Sequence, residues 1–129
     1  MNALIGLLIA NGIDLDLNGM IMIDGGGIKF NQESTQKVFR AYCRSESVAD
    51  DGTITLPTAK TGFVLVTTGA EGGLVSVAAN GTCVKLAGST NLVVTDSDTD
   101  LCVYDGGTGA VVKNRLGSSQ TVTVIFFYF

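Results

Sequence analysis

The chain has 129 residues, enough for one domain that buries about two-thirds of the surface of its unfolded form. Hydrophobic residues make up 46% of it and charged residues only 16%, so the composition indicates that partners cover part of the surface. A net charge of −4 with scattered basic residues argues against nucleic-acid binding, and the absence of histidine removes the commonest general base and metal ligand.

The first 36 residues differ from the rest and are predicted to form an N-terminal arm with a linker. Residues 2–9 put apolar side chains on a helix-like stripe, although a short strand fits nearly as well. Residues 13–17 alternate between apolar and polar, Asn18-Gly19 predicts a two-residue hairpin turn, and residues 20–23 are apolar on both faces. Such an arm adds to another subunit or to a host surface, because thirty residues cannot bury this much apolar surface alone. Its predicted interface residues are Leu4, Ile5, Leu8, Ile9, Met20, Ile21, Met22 and Ile23.

The apolar start of the chain does not predict a membrane segment. Residues 1–10 are too few to span a bilayer. They also lack the basic start and the small-residue cleavage site of a secretory signal. We therefore expect the protein to be made in the cytoplasm, with no contact to a membrane and no export by a signal of its own.

Residues 37–44 fit either a helix or a strand. A strand would place Phe39, Ala41 and Cys43 inward and leave Arg40 and Arg44 in water. We predict a strand, because the segments that follow all read as strands.

Regular strand-length segments follow at a spacing of about ten residues, separated by Gly, Asn and Asp turns. The predicted strands are residues 53–56, 62–67, 73–79, 82–86, 91–95, 101–104, 110–114 and 120–128. With residues 37–44 there are nine candidates, and eight would suffice for a jelly roll. We therefore predict an all-β fold, a jelly-roll-like β-sandwich over residues 37–129 preceded by the arm at residues 1–36.

The last predicted strand is apolar on both faces. Val122, Val124, Phe126 and Tyr128 share the predicted core face, since side chains alternate along a strand. The other face ends in Ile125, Phe127 and Phe129. Such a strand is central in a sandwich or buried against another subunit, so Phe127 and Phe129 are also predicted interface residues.

The stretch that looks most like a binding site is Asp96-Ser97-Asp98-Thr99-Asp100. Carboxylates at alternate positions, here Asp96, Asp98 and Asp100, can converge on Ca²⁺ as at the start of an EF-hand loop. However, Leu101 replaces the glycine that such a loop needs, and Gly107 replaces its bidentate Glu. We therefore favour a solvated acidic turn between two strands, with no metal and no other cofactor.

Two Gly-rich stretches, residues 24–27 and 105–109, read as hairpin turns, because neither is followed by a helix or by the Lys-Ser/Thr ending of a phosphate-binding loop. No serine has a histidine partner, and we expect no enzymatic activity. Tyr42, Tyr104 and Tyr128 would stack on sugars if exposed, but packing is the predicted role of Tyr104 and Tyr128.

The three cysteines, at positions 43, 83 and 102, have no metal-binding spacing. We interpret them as small buried hydrophobes in a chain made in a reducing cytosol. A Cys83–Cys102 disulfide is the alternative.

Residues 51–129, about 60% of the chain, resemble a small β-domain of tailed-bacteriophage and prophage virion proteins. The resemblance is carried by the stretches DGTITLPT at residues 51–58, NGT at 80–82, DSDTDLCVYDGGTG at 96–109 and KNRLGS at 113–118, followed by the aromatic last strand. Residues 1–30 contain no motif of that family.

The resemblance implies a structural protein of the virion, made in the host cytoplasm. Its expected role is that of a capsid decoration (cement) protein that stabilises the shell as a homotrimer. The expected partner is the major capsid protein or another virion protein. The alternative is the head domain of a tail fibre or spike that binds a host surface glycan.

Overall fold

The computed structural model describes residues 14–15, 21–22, 28–29 and 38–129, with side chains from residue 40 onward. The chain divides into two compact units, Met1–Arg40 and Ala41–Phe129. No helix in the described part of the chain is long and apolar enough to cross a membrane.

The first unit contains three short strands, β1 (Asp14–Leu15), β2 (Ile21–Met22) and β3 (Ile28–Lys29). β1 and β2 pair antiparallel, with Leu15 opposite Ile21, and β3 pairs antiparallel with Val38 and Phe39. This pairing matches the two strands predicted for the arm. The predicted stripe at Leu4, Ile5, Leu8 and Ile9, the Asn18-Gly19 turn, Met20, Ile23 and the side chains of Ile21 and Met22 lie outside the described residues.

The second unit is built from two β-sheets. Its strands are β4 (Val38–Val48), β5 (Thr53–Thr55), β6 (Gly62–Thr67), β7 (Gly72–Val77), β8 (Cys83–Gly88), β9 (Leu92–Val93), β10 (Leu101–Asp105), β11 (Ala110–Asn114) and β12 (Gln120–Tyr128). Within the second unit the order of the large sheet is β4-β12-β6-β7-β8, and that of the small sheet is β5-β11-β10-β9.

The chain enters the large sheet three times, as β4, as β6 to β8 and as β12. β6, β7 and β8 are consecutive antiparallel strands, and β12 returns to lie antiparallel beside β6. That order is the Greek-key arrangement. In the small sheet β9 pairs parallel with β10, with Leu92 opposite Leu101, whereas a meander would pair all neighbours antiparallel. The finer jelly-roll connectivity stays a prediction.

One hydrophobic core lies between the two sheets, so the prediction of an all-β sandwich is confirmed. Each strand contributes alternate side chains to it, since successive residues point to opposite faces. Burying one such aliphatic or aromatic side chain stabilises the fold by about 1.5–3 kcal/mol. The core residues are Val48, Ile54, Leu56, Val64, Val66, Val75, Val77, Leu92, Leu101, Val103, Ala110, Val112, Val122, Val124 and Phe126.

The strand prediction for residues 37–44 is confirmed, but the prediction of its inward face is wrong. Tyr42 packs against the core, whereas Ala41 and Cys43 are exposed. The strand continues to Val48, which is buried and lies on the same face as Tyr42. The charges of Arg44 and Glu46, which alternate with the same parity as Tyr42 and Val48, obscured this face in the sequence.

Candidate functional site

The acidic loop, residues 96–100, lies between β9 and β10 and covers the outer face of the small sheet. Leu101 and Val103 point into the core, so Cys102 points the other way. Cys102 is nevertheless completely buried. Its thiol donates to the Ser97 carbonyl oxygen at 3.3 Å and accepts from the Ser97 amide at 3.5 Å. The loop is thus folded down onto the sheet over Cys102.

Asp96 is the centre of a charge network on this face. Its Oδ1 accepts a hydrogen bond from Arg115 Nη1 at 2.8 Å, and its Oδ2 accepts from Lys113 Nζ at 3.0 Å. The Tyr104 hydroxyl donates to the same Oδ2 at 3.2 Å. The hydrogen bonds from Arg115 and then Lys113 lower the pKa of Asp96 to about 2. The carboxylate therefore stays ionised well into acid.

Arg115 also links the acidic loop to the turn before β5. Its Nη2 lies 3.4 Å from Asp98 Oδ1. Its Nε lies 3.1 Å from Asp51 Oδ1, although this buried nitrogen makes no hydrogen bond of good geometry. The hydrogen bond to Asp96 is the largest cause that raises the pKa of Arg115. The guanidinium thus holds three carboxylates from two loops in one place.

The three carboxylates of the acidic loop have different partners. Asp96 and Asp98 face Arg115, while Asp100 accepts a hydrogen bond from Ser97 Oγ at 2.6 Å. Among the residues that the structure describes, no three His, Cys, Asp or Glu side chains form a group that could hold a metal ion. Two of the three carboxylates thus lie beside cationic side chains, Asp96 beside Arg115 and Lys113 and Asp98 beside Arg115.

All three cysteines are free thiols in the structure. The prediction of burial holds for Cys102, but Cys43 is exposed and Cys83 is half-buried against the core. Cys83 lies on the inner face of β8 and Cys102 on the outer face of β10. The structure therefore contains no disulfide between them, contrary to the alternative considered from the sequence. Burial, with a smaller contribution from Asp105, raises the pKa of Cys83 to about 11, and burial also raises the pKa of Cys102.

The Gly-rich stretch at residues 105–109 is the hairpin turn between β10 and β11, as predicted. The Gly106 amide donates to the Gly109 carbonyl oxygen at 2.8 Å, and the Gly107 amide donates to Asp105 Oδ1 at 2.9 Å. Gly107 has a φ of 92°, a left-handed conformation that favours glycine. The other Gly-rich stretch, residues 24–27, lies outside the described residues.

The three tyrosines have different environments. Tyr42 and Tyr128 pack against the core, and the ring of Tyr128 lies 5.1 Å from that of Phe126. Tyr104 lies instead on the outer face of the small sheet, where its hydroxyl is bound to Asp96. The predicted packing role is therefore confirmed for Tyr128, whereas the Tyr104 hydroxyl is part of the charge network around Asp96.

The outer face of the large sheet carries large exposed apolar side chains. On β6, Phe63 is 48% exposed and Leu65 is 39% exposed, and on β8 Val84 and Leu86 are 53% and 50% exposed. In the strand register Leu65 lies opposite Ile125 on one side and Leu74 on the other. The apolar surface is therefore continuous across neighbouring strands.

From residue 41 onward, the outer face of the large sheet carries no acidic or basic side chain, and we call this surface the uncharged face. Arg44, Glu46 and Lys85, the charged residues that its strands contain from residue 41 onward, all alternate to the opposite side. A hydrogen bond of 2.8 Å between the hydroxyls of Ser45 and Thr123 lies on the uncharged face. The side chains of the uncharged face are Ala41, Cys43, Ser45, Ser47, Phe63, Leu65, Thr67, Leu74, Ser76, Val84, Leu86, Thr121, Thr123, Ile125 and Phe127.

The structure places one predicted interface residue, Phe127, on the uncharged face, where it lies half-buried opposite Phe63. Phe129 follows the end of β12 and is 48% exposed. Sequence reasoning missed Phe63, Leu65 and the residues of β8. The signal was present, since residues 62–67 are apolar at both odd and even positions in the same way as the last strand.

Two of the stretches that carry the resemblance to virion proteins meet in the fold. The Asp51 amide donates to the Asn114 carbonyl oxygen at 2.7 Å, and the Asn114 amide donates to the Gly52 carbonyl oxygen at 3.0 Å. Comparison of the chain with protein-family models, curated proteins and solved structures finds no match. The resemblance therefore stays a prediction, and function has to be inferred from the surfaces described above.

Proposed function

We propose that this chain is a structural protein of a bacteriophage virion that decorates the capsid as a trimer and cements the shell. The observation that carries the proposal is the uncharged face, with large apolar side chains such as Phe63 and Val84 about half exposed. Contiguous exposed apolar surface is typical of sites where another protein binds. The low charged fraction of 16% and the resemblance of residues 51–129 to virion proteins also support it.

Cementing would work by burial of apolar surface between neighbouring capsid subunits. In this proposal the arm, residues 1–36, contacts the shell, while the sandwich contacts its sister subunits. Each 100 Å² of apolar surface removed from water contributes about 2.5 kcal/mol before the costs of association. Rupture of the shell then requires these contacts to break first.

The test uses heads of the phage that encodes the chain, prepared without this protein. Added wild-type chain should co-sediment with the heads and raise the temperature at which they rupture. A variant that lacks residues 2–30 should lose this binding, while its circular dichroism should keep the strand signal of the sandwich. The matched control is the variant Thr55→Glu, which changes an exposed position on the small sheet. This variant should bind the heads as the wild type does. Wild-type chain that neither binds the heads nor protects them would refute the proposal.

The tail-fibre or spike head remains the competing proposal, with a host surface glycan as ligand. Tyr42 and Tyr128 are packed against the core, and the Tyr104 hydroxyl is bound to Asp96, so the three tyrosines considered for sugar stacking all have contacts within the protein. A glycan array probed with the full chain separates the two proposals. Specific binding to one sugar without binding to heads would favour the fibre head.

A further inference from the structure

We propose that the uncharged face binds a second copy of this chain and forms the contact between subunits. The inference rests on the proposed function for the trimer, because it names the surface through which the subunits associate. It does not depend on the capsid, since copies that meet through this face would associate in solution without any shell.

Charge selects this face for self-association. When copies of one chain associate symmetrically, identical or neighbouring patches come together, so a charged residue near the centre meets a like charge. The uncharged face avoids this repulsion, because Arg44, Glu46 and Lys85 all lie on the other side of the sheet. Hydroxyl groups such as those of Ser45 and Thr123 are both donors and acceptors, so they can pair with the same groups of another copy.

The opposite side of the sandwich differs in this respect. The outer face of the small sheet carries the network of Asp96, Lys113 and Arg115, together with Asp51 and Asp98. Bringing two copies together through this face would desolvate these ions and place like charges near one another. Of the two outer sheet faces, the uncharged face is therefore the one suited to a second copy.

The size of the uncharged face is sufficient for a specific contact. Five strands spaced about 4.8 Å apart, each with about six residues at roughly 3.3 Å per residue, cover about 500 Å². Three copies that turn this face toward a common axis would then bury about 1,500 Å² between them, more than the roughly 1,000 Å² that a specific contact needs. The most exposed large side chains, Phe63, Leu65, Val84 and Leu86, lie within this area.

The test is the molar mass of the full chain in solution, measured by light scattering across a series of concentrations. The wild-type chain should have a mass of three times 13.4 kDa. Leu65→Glu should raise the dissociation constant by about tenfold or more, because it would place a carboxylate within an apolar contact. Thr55→Glu is the matched control, an exposed strand position on the outer face of the small sheet, and should keep the wild-type mass.

Circular dichroism has to show that each variant is folded. If Leu65→Glu does not fold, Val84→Lys replaces it, since Val84 is more exposed on its strand. A wild-type chain that stays at 13.4 kDa at its highest soluble concentration would overturn the inference. This holds even if the monomer covers the uncharged face with its own arm. Folded face variants with the wild-type mass would overturn it too. Loss of head binding by a chain that still forms trimers would count against the proposed function alone.

Discussion

The side-chain nitrogen of Asn114 donates a hydrogen bond to the carbonyl oxygen of Val48 at 2.9 Å. This contact joins the end of β11 in the small sheet to the end of β4 in the large sheet. The same nitrogen lies 3.2 Å from the Ala49 carbonyl oxygen and 2.8 Å from that of Ser118, while the side-chain oxygen accepts from the Leu116 amide at 3.1 Å. Asn114 is completely buried, so its polar atoms are satisfied entirely within the protein.

Asn114→Ala should therefore lower the free energy of unfolding by about 3 kcal/mol, because it removes three donated hydrogen bonds that each contribute about 1 kcal/mol. Asn114→Asp should be at least as harmful, since it points a carboxylate at those same oxygens. The control is Asn91→Ala, which removes only an exposed hydrogen bond to Glu71 and should change stability by less than about 0.5 kcal/mol. Urea unfolding measures all three. If Asn114→Ala lowered the free energy of unfolding as little as Asn91→Ala does, the hydrogen bonds of Asn114 would not be what joins the two sheets.

The Asp96 network predicts a loss of stability in acid. The pKa of Asp96 in the folded protein is about 2, below its ordinary value of 3.8. A carboxylate whose pKa is lowered by folding contributes its full stability above its unfolded pKa, and loses it as the pH falls from about 4 towards 2. Asp96→Asn should thus lower the melting temperature at pH 7, and the gap to the wild type should shrink towards zero near pH 2.

Melting curves of both chains at pH 7 and near pH 2 measure this gap. Asp98→Asn is the control, because Asp98 is mostly exposed and its longer contact with Arg115 should contribute little at either pH. A gap between wild type and Asp96→Asn that is the same at both pH values would show that the carboxylate's charge is not what matters.

Periodicity and turn residues were sufficient to predict most strands. Residues 62–67, 110–114 and 120–128 form strands with the predicted bounds, because each has a clear apolar face and begins at or directly after a Gly or Ser residue. The inward face of β4 could not be predicted in the same way. Charged residues share that face with Tyr42 and Val48, so local pattern alone favoured the wrong side.

The contacts that organise the candidate sites are between residues distant in sequence. Asn114 is 66 residues from Val48, and Arg115 is 19 residues from Asp96. No local pattern indicates that these side chains will meet, since their proximity follows from how the two sheets are ordered. The apolar character of both faces of β6 is visible in the sequence, but its continuity with β12 and β7 follows only from the strand order.

The buried thiols should react slowly in the folded protein. A pKa of about 11 instead of 9.0 leaves Cys83 with roughly 100-fold less thiolate at pH 8, and Cys102 is covered by the acidic loop. In a Cys43→Ala variant, Cys83 and Cys102 should therefore react slowly with an aromatic disulfide reagent in native buffer and rapidly in denaturant. Each reacting cysteine releases one equivalent of the reagent's coloured thiol, so two equivalents are expected in total. Release of no thiol after unfolding without reductant would instead indicate a Cys83–Cys102 bridge.

Gly62, the first residue of β6, lies against the backbone of β12. A Cβ atom at this position would overlap the Phe127 carbonyl oxygen, so a side chain requires the two strands to move apart. Gly62→Ala should therefore destabilise the protein by about 1–3 kcal/mol, the usual cost of forcing atoms into a filled space. Gly69 in the β6–β7 turn is the control, because a Cβ there would meet nothing within 4 Å and Gly69→Ala should be neutral or slightly stabilising. Thermal unfolding of the two variants compares them directly, and equal melting temperatures would mean that β6 and β12 are not held at the observed separation.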